Sequence, residues 1–200
     1  MPRTNSHIFS TEDARRIARK RLPRMVYDFI EGAAGREIGV SRNEAAFDNI
    51  MLQPRVMENV SQRSLTASIL DQSFNVPFGV APMGMCNLAC PNADRFLAET
   101  ANKLNFPICL SSAASSSIED MAKWAGHRAW FQLYFSSSEE VSLSMVDRAL
   151  KAGFETLVLT VDVPQVSRRI RDLRNGFNLP FSMTSRAFWD FATHPKWSLR

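Results

Sequence analysis

Apolar stretches with the length of buried strands alternate with amphipathic stretches between residues 76 and 164. The apolar stretches begin near residues 76, 106, 129 and 156, and they read VPFGVAP, FPICLSS, AWFQLYF and TLVLTVDVP. The segments between them have the apolar spacing of helices and read NADRFLAETANKLN, SIEDMAKWAG and SEEVSLSMVDRALKAG. Parallel strands need helical crossovers and are covered on both faces, so they are continuously apolar. The pattern predicts repeated βα units and an α/β fold with a parallel sheet.

The N-terminal part of the chain has the signals of two helices. Ser10 is a candidate N-cap, and Asp13 three residues later completes a variant of the capping box. Pro23 should interrupt this first helix, because proline lacks a backbone N–H. The second helix, over RMVYDFIEGAAG, is expected to end at Gly32 and Gly35, since glycine favours the turn that closes a helix.

Polar residues lie at the ends of the apolar stretches, and they bear on how the sheet closes. The sheet can close as an open doubly wound sheet or as a (β/α)8 barrel, and since no predicted strand leads into G-x-G-x-x-G, a classical dinucleotide-binding fold is disfavoured. In a barrel, the carboxyl ends of the strands form the active site. Residues two apart share one face of a strand, so Gln132 and Tyr134 can point to one site, as can Thr160 and Asp162. The residues concerned are Ser111, Gln132, Tyr134, Thr160 and Asp162.

A second interpretation of these polar residues is that they only satisfy buried backbone groups. That interpretation is reasonable for each residue alone. It is less attractive for four successive strands, so we favour a functional site at the carboxyl ends.

Composition and charge narrow the class of protein. The chain has 200 residues, of which 45% are hydrophobic and 22% charged, as expected for one globular domain. No apolar run approaches the roughly 18–20 residues of a membrane span, and the N-terminus lacks the apolar middle of a secretory signal. The net charge of +4 arises largely from ARRIARKRLPR and SRRIRDLRN. These runs contain no interleaved aromatic residues, so we expect no nucleic-acid partner.

The three cysteines do not have the spacing of a metal site. Cys86, Cys90 and Cys109 are odd in number and do not form two pairs of ligands. We therefore predict reduced thiols and no metal. Cys86 and Cys90 are interpreted as small packing residues, with a redox pair as the alternative.

Six motifs together resemble the FMN-dependent α-hydroxy-acid oxidases and dehydrogenases, a family that includes glycolate oxidase, L-lactate dehydrogenase and mandelate dehydrogenase. The motifs are LPRMVYDFIEGAAG, VAPMGMCNLACPNAD, LSSAASSSIED, WFQLY, LVLTVDVP and RRIRDLRNGF. The resemblance implies a (β/α)8 TIM barrel preceded by a helical segment. The chain would comprise this segment and about the first four strands. Residues 1–200 would then be the N-terminal part of a single FMN-dependent hydroxy-acid dehydrogenase domain.

The resemblance also implies FMN as the cofactor and assigns residues to it. The first three flavin positions would act through their backbone, and the other three would supply hydroxyl and amide groups suited to flavin nitrogen and oxygen atoms. These six positions are Pro82, Met83, Gly84, Ser111, Gln132 and Thr160.

The implied reaction removes the hydroxyl proton and the α-hydrogen of a 2-hydroxy acid, giving a 2-oxo acid and reduced FMN. Tyr134 matches the tyrosine that hydrogen-bonds the substrate near its hydroxyl and carboxylate. Arg169 matches the mobile arginine that holds the carboxylate, a task suited to its charged fork. Asp162 matches the aspartate that raises the basicity of the family's catalytic histidine.

Two substitutions relative to the family concern the substrate. Phe29 stands where many members have a tyrosine that contacts the carboxylate, and losing such a bond weakens binding by about 1.5–3 kcal/mol. Ala113 stands where glycolate oxidase has a tryptophan, so the pocket should admit a bulky or aromatic substrate. The segment FATHPKWSLR is more similar to the mandelate and lactate dehydrogenases, which favours a dehydrogenase over an oxidase. The electron acceptor stays open between a quinone, a cytochrome and O2.

The remaining expectations concern the second half of the family fold. The base histidine, a lysine, a second arginine and a glycine-rich phosphate site of the family have no match in this sequence. His7, His127 and His194 do not fall at the position of the base, and His127 and His194 are expected on the surface. The chain is therefore expected to be an inactive fragment of a homo-oligomeric protein. We expect it to be cytoplasmic and peripheral to the inner face of a membrane.

An alternative function is a non-catalytic half-barrel or assembly module. Four strands alone would leave two unpaired sheet edges, which such a module must cover by pairing with another half.

Overall fold

The computed structural model describes residues 8–162, 165, 167–178 and 180–199. It divides into a sheet unit, Pro54–Gln165, and a helical unit, Met1–Gln53 with Val166–Arg200. The elements, in chain order, are α1 (Thr11–Arg21), α2 (Arg24–Glu31), α3 (Ile38–Asp48), β1 (Ala67–Ile69), β2 (Gln72–Phe74), α4 (Ala93–Leu104), β3 (Ile108–Ser111), α5 (Ile118–Ala125), β4 (Ala129–Tyr134), α6 (Glu139–Lys151), β5 (Leu157–Thr160), α7 (Ile170–Asn175), α8 (Ser185–Ala192) and α9 (Pro195–Ser198).

The sheet unit is built on three parallel strands in the order β3-β4-β5, as the alternating pattern predicted. In the register, Ser111 pairs with Gln132, and Tyr134 pairs with Thr160. The three predicted helices are confirmed as α4, α5 and α6. Buried aliphatic and aromatic residues of β3 and β4 form the core with α4 and α5, and Phe131 meets Phe154 edge to face at 6.1 Å. Each large side chain buried here contributes about 1.5–3 kcal/mol.

The first predicted strand, over residues 76–82, is reduced to a single bridge. Val80 pairs with Ile108 in parallel, and the Val80 N–H donates to the Pro107 carbonyl at 2.9 Å. Val80 directs both its N–H and its C=O at β3, so residue 82 is the next whose N–H would face β3, and Pro82 has no N–H to extend the ladder. The prediction of a full strand is wrong, but the segment does lie beside β3.

The expectation that every strand is covered on both faces holds for β3 and fails for β5. All four residues of β3 are buried, whereas Leu157 and Leu159 of β5 are 49% and 50% exposed. Leu157 and Leu159 are two residues apart and share one face of β5, and the described residues leave that face partly uncovered.

The two predicted N-terminal helices are confirmed. The Ser10 hydroxyl accepts from the Asp13 N–H at 3.1 Å, and the Asp13 carboxylate accepts from the Phe9 N–H at 3.1 Å. The second helix, α2, ends at Gly32. Its first N–H groups are not capped locally: those of Arg24 and Met25 donate to the two carboxylate oxygens of Asp190, each at 3.0 Å.

Several elements were not predicted from the hydrophobic pattern of the sequence. They are the hairpin β1–β2 and the helices α3, α7, α8 and α9. The hairpin turns at Leu70 and Asp71, which both have positive φ, although such turns usually contain glycine or asparagine. Within the described part of the chain, no helix has the length and apolar character needed to span a membrane.

Candidate functional site

Hydrogen bonds join the loops at the carboxyl ends of the Val80 segment, β3 and β4. The Met85 N–H donates to the Ala113 carbonyl at 3.0 Å, and the Tyr134 N–H donates to the Ser112 hydroxyl at 3.1 Å. The Gly84 backbone approaches Ala113 so closely that a Cβ on residue 84 would lie 3.4 Å from the Ala113 Cβ. The predicted convergence of these loops at one end of the sheet is therefore confirmed.

Three polar side chains form a continuous array across β3, β4 and β5. The Ser111 hydroxyl donates to Gln132 Oε1 at 2.9 Å, and Gln132 Nε2 donates to the Thr160 hydroxyl at 2.8 Å. Gln132 is only 1% exposed, and Ser111 is also buried. A buried polar group is costly unless it is hydrogen-bonded, so this array specifies how the strand ends pack.

The array retains hydrogen-bonding capacity for a further group. Gln132 has a second amide hydrogen, and the Thr160 hydroxyl accepts one bond while its own hydrogen stays available. Among the described residues, neither hydrogen has another acceptor. The array can therefore donate to a ligand without breaking its internal bonds.

The loop Pro82–Gly84 is exposed, and its peptide groups are open. The N–H groups of Met83 and Gly84 donate to no acceptor within the described ranges. Met85 has a left-handed backbone with φ of 53° and begins the following 3-10 turn. Two free donors on this loop thus lie next to the loop that follows β3.

These groups fit the edge of a flavin ring. A flavin presents ring N and O atoms that accept and donate hydrogen bonds, and the loop N–H groups, the Gln132 amide and the Thr160 hydroxyl complement them. FMN could be held by the six predicted positions. Their assignment to the cofactor stays a prediction.

Cys86 follows this loop and is held as a thiol. Its Sγ donates to the Met83 carbonyl at 3.8 Å. Burial, together with the nearby Asp94 carboxylate, raises the pKa of Cys86 to about 11. All three cysteines are free, and Cys90 is exposed, so the expectation that Cys90 packs in the core is wrong.

Tyr134 and Asp162 lie at the same end of the sheet unit with unsatisfied polar groups. The Tyr134 hydroxyl and the Asp162 carboxylate bond to none of the residues the structure describes, and both residues are exposed. Asp162 lies in a bend two residues beyond β5 rather than within the strand. Their predicted roles with substrate and base stay predictions.

The side chain of Arg169, in the helical unit, is held by two backbone carbonyls and an aromatic ring. Its Nη2 donates to the carbonyls of Phe29 and Gly32, the latter at 2.6 Å. The guanidinium carbon lies 5.1 Å from the centroid of the Phe29 ring, which is a cation–π contact. Phe29 in turn packs on Phe177 at 4.7 Å. Phe29 therefore contributes a ring face and a carbonyl where many family members contribute a hydroxyl.

The buried Asp172 was not anticipated from the sequence. Its Oδ2 lies 3.2 Å from Arg169 Nε, an ion pair whose angle does not fit a hydrogen bond. Burial raises the pKa of Asp172, and the Arg169 charge opposes that shift. The sequence signal for this ion pair was the spacing of three residues between Arg169 and Asp172, which brings side chains together within one helical turn. Arg169 Nη1 makes no hydrogen bond or ion pair with the described residues and can bind a ligand.

The predicted site residues thus occur in both units. Phe29 and Arg169 belong to the helical unit, and the flavin positions, Ala113, Tyr134 and Asp162 belong to the sheet unit. Their union in one site stays a prediction.

The histidines have different surroundings. His127 has 82% of its side-chain surface exposed and lies 3.8 Å from Glu155, which confirms a surface position. His194 is half-buried, with 22% of its side chain exposed and its Nδ1 2.7 Å from the Asp190 carbonyl, so it lies only partly at the surface. His7 lies outside the described residues. In the described part of the chain, no group of three or more His, Cys, Asp or Glu side chains is arranged to hold a metal ion.

Comparison with known proteins identifies relatives over nearly the whole chain. The family model of FMN-dependent dehydrogenases matches residues 18–200. The chain is 40% identical to (S)-mandelate dehydrogenase of Pseudomonas putida, covering 98% of this chain and 49% of that protein. It is 35% identical to a putative L-lactate dehydrogenase of Mycobacterium tuberculosis, covering 93% and 45% respectively.

A solved structure of similar fold is the crystal structure of the monotopic membrane protein (S)-mandelate dehydrogenase. Its TM-score is 0.89 at 41% identity, covering 96% of this chain and 51% of that chain. The predicted barrel-family fold is thereby confirmed. The chain spans about half the length of the curated relatives it matches.

Proposed function

The chain belongs to the family of FMN-dependent dehydrogenases, and we propose that the protein oxidises a 2-hydroxy acid to a 2-oxo acid. The observation that carries the proposal is the Ser111–Gln132–Thr160 array next to the free N–H groups of the Pro82–Gly84 loop. Both units would form parts of a single hydroxy-acid dehydrogenase domain.

FMN would lie against Pro82, Met83 and Gly84 and would receive hydrogen bonds from the array. When bound, it supplies the acceptor for the two electrons that leave the substrate together with two hydrogens. The side chains hold the ring in a fixed orientation, since the buried Gln132 is locked at both ends of its amide.

The substrate carboxylate would pair with Arg169 and the hydroxyl end with Tyr134. Arg169 has Nη2 and Nε engaged by carbonyls and Asp172, which leaves Nη1 to meet a carboxylate. The Tyr134 hydroxyl can donate to the substrate without losing a protein contact. Asp162 would stabilise the protonated form of the base, since its carboxylate is not committed to another described residue.

We propose a bulky substrate of the mandelate type. The Ala113 side chain is a single methyl group, and Phe29 offers an aromatic ring but no hydroxyl. Support also comes from the relatives named for mandelate and lactate.

We further propose a dehydrogenase that works at the inner face of a membrane, as a homo-oligomer that passes electrons to a quinone or a cytochrome. Helix α8 exposes Phe188 and Trp189, the latter by 68%, and Leu199 is also exposed. Large apolar side chains exposed together mark interaction surfaces. A similar protein is described as a monotopic membrane protein. Vesicle binding that Trp189→Ser leaves unchanged would argue against this location.

Reconstitution with FMN tests the proposed function. The protein in its full-length form should become yellow, and anaerobic addition of mandelate should bleach the flavin absorbance. Glycolate should bleach it more slowly. A protein that stays colourless after incubation with FMN would contradict the proposal.

A further inference from the structure

The helical unit contains a half-enclosed cavity of about 840 Å³ with a strongly basic wall. Six arginines and His194 line it, against two carboxylates, Asp28 and Glu31. Small-molecule sites have volumes of about 300–1,000 Å³, so the cavity can hold an organic ligand. The proposed oxidation does not require this cavity.

Both carboxylates of the wall already have cationic partners. Glu31 Oε1 lies 2.9 Å from Arg15 Nε. Asp28 Oδ2 accepts from Asn175 Nδ2 at 2.7 Å, and its Oδ1 lies 3.6 Å from Arg171. Asp28 Oδ2 also lies 3.5 Å from Arg24 Nε, so the two carboxylates pair with three arginines and leave no acid in the wall for the other three.

Three further arginines keep uncompensated charges. The side chains of Arg19 and Arg174 make no hydrogen bond or ion pair with the described residues. Arg186 Nη1 donates to the Arg174 carbonyl at 2.9 Å, which is a neutral acceptor. A lone exposed arginine is ordinarily just solvated. Three on one concave wall create a field that attracts anions more strongly than a flat surface does.

We propose that this arginine cavity binds a phosphate group of an organic ligand. Guanidinium forks match phosphate oxygens bidentately, and a phosphate has enough oxygens for more than one fork. Leu22 is buried and Tyr27 half-buried in the same wall, and they offer apolar contact to the organic part.

The phosphate can come from a soluble ester or from a phospholipid headgroup. Arg186 lies on α8, the same helix that exposes Phe188 and Trp189, so a headgroup is a source that must be tested. The two sources share the phosphate chemistry and differ in whether the phosphate is presented on a bilayer.

Calorimetric titration of the purified protein with inorganic pyrophosphate measures the soluble arm. Arg174→Gln and Arg186→Gln should each weaken binding about tenfold, and Arg174→Lys should weaken it less because the charge remains. Arg16→Gln is the matched control: Arg16 also lies in the helical unit but is paired with Asp13 at 2.9 Å and does not line the cavity. Thermal unfolding of each variant excludes loss of fold.

Sedimentation with phosphatidylcholine vesicles containing about 30% phosphatidylglycerol measures the lipid arm. Vesicle binding that falls in Arg174→Gln and is displaced by pyrophosphate supports the cavity and identifies a headgroup. Pyrophosphate binding with vesicle binding unaffected by the same variant supports the cavity and identifies a soluble ligand. Failure of both probes to bind, or an equal loss in Arg16→Gln, would overturn the proposal. Neither result depends on flavin binding or turnover.

Discussion

Replacing Gln132 with methionine removes the centre of the buried polar array while keeping a side chain of similar length. Two hydrogen bonds disappear, those of 2.9 Å to Ser111 and 2.8 Å to Thr160. A typical hydrogen bond contributes about 0.5–1.5 kcal/mol, so the free energy of unfolding should fall by about 1–3 kcal/mol. Ser111 is buried and has no water to replace its lost acceptor, which places the loss toward the upper part of that range.

The effect on FMN is separate from the effect on stability. Gln132→Met deletes the free amide hydrogen that we assign to the flavin, so FMN binding should weaken about two- to tenfold. Quenching of FMN fluorescence gives the dissociation constant, and urea unfolding gives the stability of the same sample.

Gln72→Met is a matched control within the sheet unit. It makes the same substitution and also removes two side-chain bonds, one to Glu155 at 3.1 Å and one from Trp130 at 3.4 Å. It should leave FMN binding unchanged. The assignment of the flavin site would be refuted if Gln132→Met lost stability as expected and still bound FMN as tightly as the Gln72 variant.

Three further substitutions test other parts of the structure. Ala113→Trp should lower kcat/KM for mandelate about 10- to 100-fold more than for lactate, because overfilling a pocket costs about 1–3 kcal/mol, and equal losses would contradict an open pocket. Asp190→Ala should reduce the free energy of unfolding by about 1–3 kcal/mol, since it uncaps α2. The control Asp147→Ala removes only an exposed ion pair with Lys151 and should change the free energy of unfolding by about 0.5 kcal/mol or less. A similar loss of stability in both variants would argue against the cap. The pKa of the Cys86 thiol is 9.0 in the unfolded chain and about 11 in the folded protein, so its contribution to stability is complete below pH 9 and is lost as the pH rises to about 11. Over this interval the free energy of unfolding should fall less for Cys86→Ala than for the unchanged protein. Parallel curves of unfolding free energy against pH would refute the assigned pKa.

The spacing of hydrophobic residues predicted the sheet and its helices, because the faces that each element buries determine that spacing. Strands and crossovers appear where apolar runs and amphipathic runs alternate, from α4 to β5. The segment near Val80 has the same apolar character, but backbone donors decide whether a ladder forms, and Pro82 removes the next donor that would face β3. The turn at Leu70 and Asp71 was missed because leucine is a residue type that rarely adopts positive φ.

The candidate site was predictable in its positions and not in its contacts. Polar residues at strand ends indicated Gln132 and Thr160, and the register of adjacent strands then brings them together. The Asp190 cap on α2 was not accessible in this way, because 165 residues separate Asp190 from Met25 along the chain. Contacts between such distant segments depend on tertiary packing, which has no local period.

The way in which Arg169 is held bears on how position 29 can vary. Two of its hydrogen-bond acceptors are main-chain carbonyls, those of residues 29 and 32, and every amino acid at position 29 supplies the same acceptor. Exchange of the side chain at position 29 therefore alters only what lies over the guanidinium plane. Substrate preference can diverge at this position among relatives while the arginine keeps its anchorage.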